Sequence, residues 1–389
     1  MLRIRSICNG AKDFNFIIGF RHLVLYSTSI SIEGNPNFVN YLVENLGFSR
    51  QQALSTSTKF TRDRLHRGAK KVSDFNFVGN VDSVITFLKK IGLQQNHIRN
   101  AIDFEPRVLV SNVDKTLMPK IEGLEKLGFS RSDIADVFSV NPSIFMLAFN
   151  TTIIPAIQAL REIMDCEGHV ISLLKKTRHK KLTTISRFLV PNVALLRSYG
   201  IPNGSIRKFI LKNPYSFLIK TDSFQNAVIR VEEKLRIPRT SPQFLAGIAL
   251  VTTSTEKGIE SKKQVYKSFG WTDSDIATLV LLNPVLLALS EDSIKKKLDF
   301  VMNEVGCKAS YLAPRCYVLT YSLEKRVVPR HKTVLFLKEN GLITENYSLG
   351  TVVTLPHSNF LKKFVLPFKE VHEFYSKHAG ISLRKITQL

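Results

Sequence analysis

A long basic stretch without a single acid lies near the middle of the sequence. Residues 168–221 are 54 positions that contain neither Asp nor Glu. Cationic side chains repeated along a folded surface neutralise the phosphates of a nucleic acid and release its counterions. A solvated basic face without a ligand is the alternative. The basic residues of this acid-free segment are Lys175, Lys176, Arg178, Lys180, Lys181, Arg187, Arg197, Arg207, Lys208, Lys212 and Lys220.

A second basic group lies in the last third of the sequence. Arg326 and Arg330 are four residues apart, and we expect them to share one face of a helix. Guanidinium forks suit phosphates and guanine edges, so this pair is predicted to make ordered contacts with a nucleic acid. The alternative is a pair that Glu324 holds, or one that is merely exposed. The members of this C-terminal basic cluster are Lys295, Lys296, Lys297, Arg315, Lys325, Arg326, Arg330, Lys332, Lys362 and Lys363.

Three aromatic residues, Phe209, Tyr215 and Phe217, lie inside the acid-free segment. Aromatic rings beside cations can stack on exposed bases. Core packing is the favoured interpretation, because Tyr215 and Phe217 follow a proline at the place where Ile144 and Phe145 follow another. We therefore leave these three residues out of the predicted binding set.

No motif in the sequence supports catalysis. Gly-x-Gly is absent, and no Gly precedes the Lys-Ser or Lys-Thr of a phosphate-binding loop. His372 and Glu373 resemble the start of a zinc-protease helix, but Ser376 stands where the second histidine is required. Ser-x-x-Lys occurs, for example at Ser172 with Lys175 and at Ser293 with Lys296, without its companion motifs. We expect a protein that is not an enzyme, needs no cofactor or metal, and has no small-molecule substrate.

Composition fits a folded, cationic chain. The formal charge is +23, from 55 Lys and Arg against 32 Asp and Glu, which implies a polyanionic partner. Hydrophobic residues make up 44% of the chain, so a large core is expected rather than a disordered basic tail. The four cysteines lack metal or disulfide spacing and are predicted to be reduced. The longest uncharged apolar stretch, residues 276–290, is too short to cross a membrane.

The helices and turns expected to carry these residues recur about every 36 residues. Three series share this step. Glycines that end helical patterns are Gly92, Gly128, Gly200, Gly270, Gly306 and Gly341, and Met164 occupies one rung without a glycine. Prolines before short apolar clusters are Pro106, Pro142, Pro214 and Pro284. Pro119, Pro155, Pro191 and Pro329 fall where a helix is expected to start, a position that needs no backbone donor.

Each period is predicted to be a helix, a second helix and a short turn. The first helix ends at its glycine, and Ser130 with Asp133 predicts a capping box for the second. Ser49 with Gln52, and Thr272 with Asp275, repeat that spacing. A unit this small cannot bury its apolar faces alone, so neighbours must stack. We predict an all-α superhelical solenoid of about eight or nine three-helix repeats across residues 38–380, with weak members at Arg178 and Leu250.

The repeats resemble those of the mitochondrial transcription termination factor (mTERF) family, especially its plant organellar branch. The resemblance rests on LEKLGFSRSDIADVFSVNPSIF, on VLTYSLEKRVVPRHKTVLFL at residues 318–337, and on the later FLKKFV. Where members usually carry Arg-Pro, this chain has Arg315 and Cys316. The resemblance implies a left-handed superhelix that binds nucleic acid in organelles. Members bind duplex DNA, and some act on RNA in splicing or transcript processing.

The first thirty residues have the composition of an organellar transit peptide. They are basic and amphipathic, with Asp13 as their single acid. We expect a transit peptide at 1–30, a linker at 31–37 and a tail at 381–389, in a mitochondrial protein with the plastid as second choice. An ordinary basic arm is the alternative.

The partner expected from charge and resemblance together is organellar DNA, with RNA as the alternative. The predicted function is regulation of gene expression, chiefly transcription termination, through a basic concave groove of a monomer that has no membrane partner. A helical scaffold that binds another protein remains the second alternative.

Overall fold

The computed structural model describes residues 34–66, 77–178 and 180–380. These residues form helices and turns, with no strand among them, so the all-α prediction is confirmed. The proposed transit peptide and the tail at 381–389 lie outside the described residues. The α-helices are Pro36–Leu46, Arg50–His66, Phe77–Lys90, Gln95–Phe104, Met118–Lys126, Arg131–Val140, Ile154–Met164, Glu167–Lys176, Leu182–Ser198, Asn203–Lys212, Thr221–Glu233, Phe244–Thr253, Glu256–Ser268, Asp273–Leu282, Glu291–Leu298, Ala309–Leu312, Val328–Glu339, Leu349–Thr354, His357–Phe364 and Lys369–Ala379.

The described residues divide into two compact units. The first unit contains the residues up to Pro155, together with Arg178–Leu182. The second contains Ala156–Thr177 and the residues from Thr183 onward. The acid-free segment therefore contributes residues to both units.

The glycine series ends helices as predicted. Each of its six glycines has a positive φ, between 69° and 99°. Two repeats lack a glycine at this position. The backbone there adopts the same left-handed conformation at Asp165, with φ of 67°, and at Arg236, with φ of 54°. A side chain with a Cβ is strained in this region. These two helices therefore end in the same left-handed conformation as those of the other repeats, although neither has a glycine at that position.

The predicted capping boxes are confirmed. The Ser130 hydroxyl accepts from the Asp133 amide at 3.1 Å, and the Asp133 carboxylate accepts from the Ser130 amide. Thr272 and Asp275 exchange the same pair of hydrogen bonds. Ser49 and Gln52 also pair reciprocally. These caps satisfy backbone donors at the start of the second helix of a repeat.

The second proline series starts short 3-10 turns, as predicted. The turns are Pro106–Val110, Pro142–Met146, Pro214–Phe217 and Pro284–Ala288. A fifth turn, Ala313–Thr320, forms where the chain has Arg315 and Cys316. Cys316 is fully buried, like the prolines of the other turns, and accepts a hydrogen bond from the Asn283 side chain at 3.2 Å. The weak member at Leu250 has no such turn, because Leu250 lies inside Phe244–Thr253.

The third proline series starts α-helices as predicted at three of its four members, since Pro119, Pro155 and Pro329 are the second residues of Met118–Lys126, Ile154–Met164 and Val328–Glu339. Pro119, Pro155 and Pro329 are each preceded by a π-helical turn, so the helical backbone begins well before them. The ring of a proline clashes with the carbonyl four residues earlier, and the extra residue of a π turn relieves that clash. Pro191 lies inside the uninterrupted helix Leu182–Ser198. The π turns before the three prolines are Val113–Leu117, Phe149–Ile153 and Leu323–Val327, and another is Asp299–Glu304.

We predict that Arg236→Gly stabilises the second unit. Removing the left-handed strain exceeds the added chain entropy of glycine, which leaves a gain of about 0.5–1 kcal/mol in the free energy of unfolding. Urea unfolding followed by the fluorescence of Trp271, the single tryptophan, measures it.

Gly306→Ala is the matched control, because Gly306 has φ of 78° and open space around its Cα. It should lose about 1–2 kcal/mol. A destabilising Arg236→Gly would refute the strain argument.

Candidate nucleic-acid interface

Which cations can reach a nucleic acid depends on which of them the fold already uses. Three residues that directly follow a proline of the third series donate to backbone carbonyls 22–27 residues further along the chain. Lys120 donates to the carbonyl of Phe145. Asn192 donates to those of Phe217 and Ile219, both at 2.9 Å. Each acceptor lies at or just beyond the end of the next 3-10 turn.

Arg330 makes the third contact of this kind. Its guanidinium donates to the carbonyls of Val352, Val353 and Leu355 at 3.0, 3.1 and 2.6 Å. It also lies over the ring of Phe360, 4.6 Å from the ring centre. The side chain is only 2% exposed, and burial together with the charge of Arg326 lowers its pKa to about 10. Arg330 is thus charged at neutral pH and enclosed by protein.

Arg326 supports the same helix end. Its Nε donates to the carbonyl of Val353 at 2.8 Å, and its terminal nitrogen donates to that of Leu355 at 2.7 Å. Carbonyls at a helix C-terminus lack intrahelical partners and carry partial negative charge, so two cations stabilise them. The sequence predicted ordered contacts of this pair with a nucleic acid, but the Arg330 guanidinium is buried against protein. The two arginines do share a helix face, which caps Leu349–Thr354, and Arg326 is half-buried there.

Several cations of the acid-free segment are also committed within the protein. Lys176 donates to the carbonyl of Leu211 at 2.6 Å, at the end of the next repeat's second helix. Arg207 forms an ion pair with Asp165. Arg197 donates to the Asn203 side chain at 2.7 Å. Lys175 is half-buried.

The remaining cations of the acid-free segment are exposed. Lys208 and Lys212 lie four residues apart on the solvent face of Asn203–Lys212. Neither makes an ion pair with any residue that the structure describes. Arg187 is exposed on Leu182–Ser198, with the ring of Phe188 5.5 Å away. Arg178, Lys180 and Lys181 are exposed in the part of the segment that belongs to the first unit.

The C-terminal basic cluster divides in the same way. Lys297 donates to the carbonyl of Tyr321, and burial lowers its pKa from the ordinary value of a lysine. Lys332 is half-buried, whereas Lys295, Lys296, Lys325 and Lys362 are exposed. Arg315 and Lys363 are exposed as well and lie over the rings of Tyr311 and Tyr347, at 4.4 and 4.5 Å.

The three aromatic residues of the acid-free segment separate by depth. Phe217 is fully buried, between Phe209 at 6.2 Å and Phe224 at 5.3 Å between ring centres. Core packing is therefore correct for Phe217. Tyr215 is 46% exposed on the 3-10 turn that follows Lys212.

The family follows from these repeats and from comparison with known sequences. A sequence model of the family described as mTERF matches residues 85–235 and, overlapping them, residues 150–361. The chain belongs to the mTERF family. Proteins of the mTERF family are non-enzymatic, nucleic-acid-binding regulators of organelles.

Curated relatives from Arabidopsis thaliana share part of this sequence. The chain is 22% identical over 180 residues to "Transcription termination factor MTERF8, chloroplastic", which covers 46% of this chain and 35% of the relative. It is 28% identical over 120 residues to "Transcription termination factor MTEF18, mitochondrial", 31% of this chain and 21% of the relative. The chain thus spans about a third or less of the length of the mTERF relatives it matches. Among the described residues, no helix is long and apolar enough to cross a bilayer.

We predict that Arg330→Ala destabilises the second unit by about 2–4 kcal/mol, because three buried carbonyls lose a charged donor. Urea unfolding followed by Trp271 fluorescence measures the change. Arg315→Ala is the matched control, since Arg315 lies on an exposed ring and should contribute about 1 kcal/mol or less. Equal effects of the two substitutions would contradict a structural role for Arg330.

Proposed function

We propose that this mTERF protein binds organellar DNA through its exposed lysines and thereby regulates transcription, with termination as the first candidate. Lys208 and Lys212 carry the proposal. They are exposed, side by side on one helix, in a segment of 54 residues without an acid. Exposed cations close to one another repel, and a polyanion removes that repulsion.

Further exposed cations are proposed to contact phosphates as well. Arg187 lies on the helix that precedes Asn203–Lys212, and Lys180 and Lys181 precede it along the chain. The C-terminal basic cluster contributes Lys325, Lys362 and Lys363 in the proposal. That these cations line one concave groove stays a prediction. Duplex DNA is favoured over RNA because the similar Arabidopsis proteins are named transcription termination factors.

The proposed location is the mitochondrion, with the chloroplast as the alternative. Two of the similar relatives are named mitochondrial and one chloroplastic. The basic composition of the first thirty residues supports import into an organelle.

We predict that Lys208→Glu with Lys212→Glu lowers the affinity of the purified full chain for duplex DNA at least about tenfold, because two phosphate contacts become repulsions. Wild-type affinity should fall about a thousandfold or more between 50 and 200 mM salt if about six to ten phosphates are contacted. Fluorescence anisotropy with labelled duplex DNA, and with RNA of the same sequence, measures both effects.

The control is Lys89→Glu with Lys90→Glu, which reverses two exposed lysines that also lie in the last turn of a helix. This variant should bind as the wild type does, with an unchanged unfolding curve. Tighter binding to RNA than to DNA would favour transcript processing over termination. Absence of binding to either at 50 mM salt would refute the proposal and favour a protein-binding scaffold.

A further inference from the structure

Many arginines in the described part of the chain contact other groups of the protein. Among the described residues, six arginines form ion pairs with nearby carboxylates. Examples are Arg131 with Glu125 at 2.7 Å and Arg230 with Glu256 at 3.0 Å. A carboxylate at this distance repels an approaching phosphate about as strongly as the guanidinium attracts it. The other four paired arginines are Arg107, Arg161, Arg207 and Arg239.

Other arginines donate to backbone carbonyls. Arg326 and Arg330 cap Leu349–Thr354, as described above. Arg99 donates to the carbonyl of Gly47 at 3.1 Å, and Arg197 to that of Glu162 at 3.2 Å. Arg315 donates to the carbonyl of Tyr311 at 3.3 Å while it lies over the same residue's ring. A guanidinium held this way has fewer donors left for a contact with a base, and its orientation is restricted.

Several lysines of the two basic regions, unlike most of the arginines described above, are exposed and make no ion pair with the described residues. They include Lys208, Lys212, Lys325 and Lys362. A lysine ammonium is a compact charge on a flexible stem, so it attracts phosphate without fixing an orientation. Base recognition in the major groove relies instead on planar, bidentate donors, chiefly arginine with guanine.

Arg187 is the exception in the acid-free segment. It is exposed, and its described contact is the ring of its neighbour Phe188 at 5.5 Å. Arg178 is exposed too but interacts within the protein. Arg50, Arg62 and Arg236 are exposed outside both basic regions.

We infer that the protein binds the phosphate backbone through lysines with little discrimination between base sequences, and that Arg187 supplies most of the base preference it has. The inference rests on the proposed function and deepens it, because it separates the source of affinity from the source of selectivity. Affinity depends on the number of free lysines. Selectivity depends chiefly on the guanidinium of Arg187, the exposed arginine of the acid-free segment whose described contact is a neighbouring ring.

The test compares the full chain with two variants on matched duplexes at several salt concentrations. One duplex contains guanine, and the other contains 7-deazaguanine, which lacks the N7 acceptor but keeps every phosphate. Wild-type affinity should fall about three- to tenfold on the modified duplex, the loss expected for one guanine contact. Arg187→Ala, which removes every donor of the side chain, should bind both duplexes equally, at about three- to tenfold below the wild-type affinity for the guanine duplex.

The second variant, Lys208→Gln with Lys212→Gln, should weaken binding to both duplexes by the same factor. It should reduce the slope of log affinity against log salt by about 2, one for each lost phosphate contact.

Selection from a random duplex library completes the test. Enrichment of a single consensus bound more than about a hundredfold tighter than random sequence would overturn the inference, because several base contacts are then required. A deazaguanine effect that survives in Arg187→Ala would overturn the role of Arg187. Failure of the wild type to bind any duplex at 50 mM salt would instead refute the proposed function.

Discussion

Donation from one repeat to the backbone carbonyls of the next is the interaction on which this fold depends. Carbonyls near the end of a 3-10 turn, or of an α-helix such as Leu349–Thr354, lack intrahelical partners, and a buried carbonyl without a partner is destabilising. Lys120, Asn192 and Arg330 supply the missing donors from the same position, directly after a proline of the third series. Apolar packing brings neighbouring repeats together, and these hydrogen bonds fix which backbone atoms meet.

This use of donors also shapes the charge that the protein presents. The net charge of +23 overstates the surface available to a polyanion, because many guanidinium groups are held by carbonyls or carboxylates. The lysines that remain exposed include Lys208 and Lys212, in a segment without acids. The cations that stabilise the fold are thus different from those proposed to bind the nucleic acid. An arginine, with its rigid fork, suits several carbonyls at one helix end, whereas a lysine suits a phosphate backbone.

The repeat and its element types were predictable, because they follow from covalent geometry. Glycine favours the left-handed helix end, proline breaks a helix, and Ser130 with Asp133 has the spacing of a cap. The left-handed backbone at Arg236 was not predictable, since its residue type disfavours that conformation and neighbouring repeats impose it. The role of Arg330 was also missed. Periodicity assigns a residue to a helix face, but it does not reveal that carbonyls 22–25 residues later lie against that face.

The central claim is that free lysines bind phosphate while committed cations hold the fold. Lysine acetylation footprinting by mass spectrometry, with and without saturating duplex DNA, tests it most directly on the intact protein. The account predicts that DNA protects Lys208 and Lys212 and leaves Lys89 and Lys90 unchanged. Lys120 and Lys297 should react slowly in both conditions, because their half-buried amino groups donate to the carbonyls of Phe145 and Tyr321. Protection of Lys89 and Lys90 without protection of Lys208 and Lys212 would contradict it.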